Sequence, residues 1–381
     1  MTHRILVDAR TPVHYAMFAP VHRAMEDDER VRFYFIASEE PDKAASIFRD
    51  AGPNARLIGP TAAAVTKFDA YLTSDFMWPR LLYKTCRIQM FHGVGGKYGF
   101  DAPTESLDAW HRLWFVNRRR LQNCVNAGAL AADSPAIRLV GMPKVDCLVD
   151  GSLSRDAVLT ALGLPPERPT VLYAPTWSPA SSLNAMGVAL IDRLQAMQVN
   201  VIVKLHDRSC DLRPQYSGGI DWVATLRPRL RAGSSVLAPE ADICPYLAAA
   251  DVMITDHSSC GFEYLLLDRP LVRIHRPDLI ALANIHEDYV RLLSDVSETT
   301  TAVDDTVAAV ERALADPTEK ASTRRVVAAD LFYEPGTATA RCTVEMYGAL
   351  QLNPLVAAPL VNQSSIINQQ SVIPRVCPPS A

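Results

Sequence analysis

Short β-rich apolar runs separated by helix-like stretches restrict what this chain can fold into more than any other feature. "RILVDA" is followed by "YAMFAPVHRAMEDDE", with apolar residues at helical spacing, and then by "VRFYFIA". "FDAYLTSD", "CRIQMFHG", "RLWFVN" and "IRLVGMP" read as further buried strands. Strands that alternate with helices imply a parallel sheet covered on both faces. After "GMPKVDCLVDG", a helix near 154–163 and the Pro-rich "GLPPERPT", the pattern starts again. "VLYAPTW", "NVIVKLHD", "DVMITD" and "LVRIH" are β-rich, with helices expected around 184–198, 243–250, 258–267 and 303–315. The expectation is α/β: two Rossmann-like domains facing across a cleft, an N-terminal acceptor-side domain over 1–150 and a C-terminal nucleotide-donor domain over 151–350. A length of 381 residues suits two domains. Residues 351–381, rich in Pro, Ser, Asn and Gln, read as a disordered tail on composition alone.

Composition excludes several classes. A formal charge of −4 argues against a general nucleic-acid binder. No run approaches the apolar length needed to cross a bilayer, and "MTHRILVDAR" reaches Asp8 too soon to read as a signal peptide. Eight cysteines without a C-x-x-C pair fit neither a zinc site nor a disulfide framework, so the chain reads as a reduced, cytosolic protein.

Ligands of doubly wound sheets bind outside the carboxyl ends of the strands. In "TDHSSCGFEYLLLDRP", a strand ending at Asp256 feeds a helix that opens with Ser258 and Ser259. Unpaired N–H groups and the helix dipole favour an anion there, and two hydroxyls add donors. Gly261 is expected to let the ligand approach closely, and Glu263 to reach a ribose hydroxyl. Asp256 is expected to hold the turn by accepting backbone N–H bonds. His92 ends "RIQMF" beside Gly93, where an imidazole can act as general base on an acceptor hydroxyl. His206 ends "VIVKL" and can stabilise charge on a leaving phosphate. Thr176 lies in the first turn of the second domain, within reach of a phosphate, whereas Trp177 reads as packing. "NRRRLQ" reads as a solvated basic face or a contact for anionic lipid. The histidines and acids fall in no metal-ligand spacing, so no metal is expected, and no cofactor beyond a nucleotide donor.

"ADVMITDHSSCGFEYLLLDRPLV" resembles the signature of the CDP-glycerol glycerophosphotransferases, the teichoic acid primases and polymerases. "VLYAPTW", "VKLHD", "RLVGMPKVDCLVD" and "MFHGVGGK" resemble other motifs of that family, in its order, over about 90–280. The resemblance implies a GT-B fold and transfer of glycerol phosphate from CDP-glycerol, releasing CMP, through paired histidines without a bound metal. It also implies a lipid-linked or polymer acceptor of the cell envelope, met at the cytoplasmic face of the membrane.

The chain departs from the family pattern near the presumed donor. Ser178 and Pro179 follow "APTW" where the family has Arg, and Asp207 follows Lys-x-His where it has Pro. His257 replaces Tyr, and Pro is missing after the His-Gly pair. Another CDP-polyol donor therefore stays open, as does a UDP-sugar enzyme on the same scaffold: a GT-B glycosyltransferase or a UDP-N-acetylglucosamine 2-epimerase relative. A binding protein that kept the fold and lost catalysis is a third reading.

Overall fold

The computed structural model describes residues 2–98 and 107–355. Residues 356–381, most of the expected tail, lie outside the described residues. Two six-stranded parallel sheets carry the fold. The first joins β1 (His3–Asp8), β2 (Val31–Ile36), β3 (Ala70–Thr73), β4 (Cys86–Met90), β5 (Arg112–Phe115) and β6 (Ile137–Leu139) in the order β2-β1-β3-β4-β5-β6. The second joins β7 (Thr170–Tyr173), β8 (Asn200–Val203), β9 (Ser235–Leu237), β10 (Val252–Thr255), β11 (Leu271–Ile274) and β12 (Glu298–Thr300) in the order β12-β11-β10-β7-β8-β9. The expected runs became strands because both faces of a parallel sheet are covered, which selects continuous Val, Ile and Leu. β3, β7, β8, β10 and β11 are buried at every position.

The strand order reverses between β1 and β3 in one sheet and between β7 and β10 in the other. These two switch points are where such sheets open a crevice. Two strands were not expected from the sequence, β9 and β12; each has three residues, too few to show a period.

The last helix of the expected second domain packs on the first sheet's unit. The helix Ala338–Ala349 returns to the first sheet's unit, where Tyr347 donates to Asp28 (2.9 Å), Glu345 pairs with Arg138 (2.7 Å) and Arg341 donates to the Val140 carbonyl (2.8 Å). Asp146 starts this helix by accepting from the N–H groups of Gly336, Ala338 and Thr339 at 2.7, 3.2 and 2.7 Å. A carboxylate at a helix N-terminus satisfies donors that would otherwise be orphaned.

Asp146 belongs to the short 3-10 segment Pro143–Leu148 that leads out of the first sheet. Two residues earlier, Lys144 donates to both oxygens of Glu263 at 2.9 and 2.6 Å, with each side chain only 6% exposed. Burial alone would lower the Lys144 pKa, but the Glu263 charge holds it well above the ordinary value. Leaving one charge of such a pair unpaired costs about 3–5 kcal/mol. Lys144→Met is therefore expected to lower the urea-unfolding free energy by that order, with Lys144→Met/Glu263→Leu recovering much of the loss. Equal stability of wild type and the single variant would mean that water reaches the pair.

Candidate active site

The two switch points face each other, and the glycine-rich loop after β4 bridges them. Gly95 packs so closely on the helix Cys260–Tyr264 that a Cβ would stand 2.4 Å from the Phe262 ring and 3.1 Å from Tyr289. Any larger residue forces these rings or the loop to shift. Two residues on, Lys97 Nζ donates to Thr176 Oγ1 (3.3 Å), and its carbonyl accepts from the His286 N–H (2.9 Å).

Asp256 organises the second unit's side of the cleft. It is fully buried; Oδ1 accepts from the N–H of Thr176 (2.8 Å) and His257 (2.7 Å), and Oδ2 from the N–H and hydroxyl of Ser182 (both 3.0 Å). The end of β10 is thereby fixed to the turn after β7. Ser258 is half-buried and Ser259 exposed, and none of the described residues accepts from their N–H groups. Ser258 Oγ accepts from Cys260 (3.0 Å).

Two neighbours differ from expectation. Gly261 does not open the helix to a ligand, because a Cβ there would meet Leu293 at 3.1 Å and Thr255 at 3.3 Å; its small size serves packing. Glu263 is held by Lys144, so part of the acceptor capacity expected for a ribose is already used.

His92 stands at the end of β4, its Nδ1 against the Ser74 carbonyl in a part-buried contact. A carbonyl can only accept, so Nδ1 carries the proton and Nε2 keeps its lone pair. Gly93 accepts from Arg120 through its carbonyl (3.2 Å). His206, half-buried at the end of β8, shows the opposite state: Nδ1 accepts from the Arg208 N–H (3.1 Å), so the neutral ring carries its proton on Nε2. Protein packed around both rings lowers their pKa, to about 3 for His206, where Lys204 and Arg208 add to the effect. Both imidazoles are neutral at ordinary pH.

The sequence reading missed His14, whose ring centroid lies 5.0 Å from that of His92. Burial and then the His92 charge lower its pKa to about 3, opposed by Asp75. Asp75 in turn pairs with Arg10 (2.8 Å). Position alone marks His14: it follows closely on the carboxyl end of β1, at the switch point. The basic run also differs from expectation. Asn117 caps the helix Arg118–Asn126 by accepting from the Arg120 N–H (2.8 Å). Arg118 lies over the Tyr333 ring, Arg119 pairs with Asp330 (2.7 Å), and Arg120 covers the Phe91 ring, so the run serves internal packing.

A cavity of about 1300 Å³ opens beside this centre, lined by Arg10, Thr11 and Arg49 on one side and Lys204, Asp207 and Arg208 on the other. None of the sequence-selected residues lines it, but His206 sits between two that do.

His257, fully buried, has its pKa lowered to about 3 by burial and then by Arg273. Between pH 6.5 and about 3 the unfolded chain protonates this ring and the folded chain does not, so stability falls as pH drops through that window. Asp8, raised by burial to about 6, works in the opposite direction from its ordinary value of 3.8 up to about 6. His257→Phe removes one acid-sensitive term. Its thermal midpoint is expected to fall less than that of wild type between pH 7 and about 5; equal falls would show that His257 is charged in the folded protein.

The sequence matches the family model described as CDP-glycerol:poly(glycerophosphate) glycerophosphotransferase over residues 84–343. No curated protein matches it. Among solved structures, the fold is similar to that of the wall teichoic acid polymerase TagF, at 17% identity and a TM-score of 0.69 over 92% of this chain and 89% of that one. It is also similar to MnaA of S. aureus, solved with UDP, at 11% identity and a TM-score of 0.54 over 93% and 98% of the two chains. The UDP-GlcNAc 2-epimerase of Methanocaldococcus jannaschii, at 12% identity and a TM-score of 0.52, covers 91% of this chain and 100% of its own. These two share the fold; the family match extends from the strand before His92 to the C-terminal helix and takes in both histidine motifs. The chain belongs to the CDP-glycerol:poly(glycerophosphate) glycerophosphotransferase family.

Proposed function

We propose that the chain moves glycerol phosphate, or a similar polyol phosphate, from a CDP-activated donor to a hydroxyl of a cell-envelope glycopolymer or lipid-linked acceptor. The observation that carries the chemistry is the pair of opposite tautomers at His92 and His206. The acceptor oxygen forms a bond to the phosphorus bearing the polyol, and its proton passes to Nε2 of His92. The bond from that phosphorus to the oxygen bridging the two phosphates breaks, and its electron pair leaves on CMP. Nε2–H of His206 donates to the charge that develops, as a neutral imidazole placed in advance. Ser258, Ser259 and Thr176 hold the donor phosphates, and Glu263 offers the ribose the lone pairs that Lys144 leaves free. Asp256 and Gly93 support the two turns. No step needs a metal.

His92→Ala and His206→Ala are each expected to lower CMP release from CDP-glycerol by about 100- to 10,000-fold. Activity retained within a few fold in both would refute the assigned roles. Because both pKa values are lowered from the ordinary histidine value of about 6.5, the acid limb of the kcat/KM profile is expected below that pH. A limb at or above it would mean that one ring is charged in the free enzyme.

Contact with a membrane face has its own support. Among the described residues no helix is long and apolar enough to cross a membrane. In the first unit, however, Val65, Trp78, Leu82 and Tyr83 are 61, 44, 59 and 50% exposed. The Leu82 N–H donates to the Ala64 carbonyl (3.0 Å), which joins the two segments into one surface. Exposed Arg80 and Lys84 flank them, and residues 76–98 contain no Asp or Glu. Aromatic and aliphatic side chains ringed by cations suit an anionic lipid interface. The protein is expected to sediment with phosphatidylglycerol vesicles and not with phosphatidylcholine vesicles, and Leu82→Ser/Tyr83→Ser to release it. Sedimentation unchanged in that variant would place the contact elsewhere.

A further inference from the structure

Among the cations lining the 1300 Å³ cavity, Lys204, Arg208 and Arg227 pair with no carboxylate among the described residues, and of these three Arg208 lies over aromatic rings. Arg10 pairs with Glu39 (2.7 Å), Arg49 with Glu240 (3.3 Å) and Arg213 with Asp211 (2.5 Å). Arg208 has no carboxylate partner among the described residues. Its guanidinium instead lies over the Trp177 ring, 4.5 Å from the centroid, and 5.2 Å from that of Tyr216. The two rings meet edge to face at 5.5 Å, which makes a rigid platform. A guanidinium stacked on an aromatic face keeps its charge and its orientation while its in-plane N–H groups stay open. Those N–H groups form the fork that matches two oxygens of a phosphate. The Arg208 backbone N–H also donates to His206, which ties the residue that carries the charge to the imidazole in one turn.

We propose that Arg208, carried on Trp177, is a phosphate clamp that grips the phosphate of the departing nucleotide beside His206. This rests on the transferase reading above and deepens it. Trp177 comes from the turn after β7 and Arg208 from the turn after β8, neighbours in the sheet. Two departures noted in the sequence therefore lie together in space. Ser178, buried at 5% exposure, stands where the motif's arginine is expected, and the cation comes instead from the adjacent turn. Trp177, read from sequence as packing, becomes the support of a charged group.

The test is calorimetric titration of the full chain with CMP and with cytidine, for wild type, Arg208→Gln, Arg208→Lys and Trp177→Ala. Arg208→Gln is expected to weaken CMP binding by about 10- to 100-fold, the usual range for losing hydrogen bonds to a charged group. Its thermal midpoint and its affinity for cytidine should remain at the wild-type values. Arg208→Lys should recover part of the loss, since an ammonium supplies charge without the fork, and Trp177→Ala should weaken CMP with Arg208 still present. Unchanged CMP affinity in Arg208→Gln overturns the clamp, as does an equal loss for cytidine, which would indicate a role in base binding or folding. If wild type prefers UMP to CMP, the donor assignment fails instead. The same variants scored on UMP against uridine then decide the clamp independently.

Discussion

The ion pair of Lys144 and Glu263 is the interaction on which the arrangement of the cleft depends. It joins the segment leaving the first sheet to the helix Cys260–Tyr264, and both charges are almost out of water. Such a pair gains little net energy over apolar packing, but breaking it is costly, so it specifies one docking geometry and penalises others. Pro143–Leu148 also carries Asp146, which starts the returning C-terminal helix. One short segment therefore sets the position of the helix Cys260–Tyr264 relative to the first sheet and ties down the end of the described chain. The close fit of Gly95 against Phe262 completes the contact from the other side.

With that geometry set, reactivity is tuned mainly by uncharged partners. A carbonyl on His92 and a backbone N–H on His206 choose opposite tautomers, which suit one ring to the proposed role of base and the other to that of donor. Packing keeps both neutral, so neither depends on a proton picked up from solvent near pH 7. Asp256 spends its acceptor capacity on backbone and Ser182, which stiffens the turns that present Thr176 and the serine pair. Charge is held at the cavity wall, where Arg208 stands without a carboxylate partner among the described residues.

How much of this was legible in the sequence depends on the range of the interaction concerned. Long apolar runs such as "RILVDA" and "NVIVKL" announce buried parallel strands because both faces of the sheet select the same residues. β9 and β12 did not show, being three residues each and partly polar. His92, His206, Ser258 and Ser259 could be picked out because they follow strands directly, and strand ends are where such sheets bind ligands. His14 was passed over because it lies inside the short helix Pro12–Ala16 and not directly at the end of a strand, and only the sheet order reveals that it stands at the switch point beside His92. "NRRRLQ" misled for a related reason: its partners Asp330 and Tyr333 lie some two hundred residues on, in a segment that the sequence does not place against it.

The sequence by itself determined the α/β class, the two-sheet plan, the family motifs and their order, since each follows from local periodicity or from residues close together in the chain. Tertiary structure alone decided which groups touch. It gave Glu263 a lysine, moved the last helix to the first unit, turned Gly261 inward, and set Arg208 on Trp177. Those outcomes depend on distances between segments far apart in sequence. Hydrogen bonds and ion pairs act over a few ångströms, so only the folded chain brings their partners within reach.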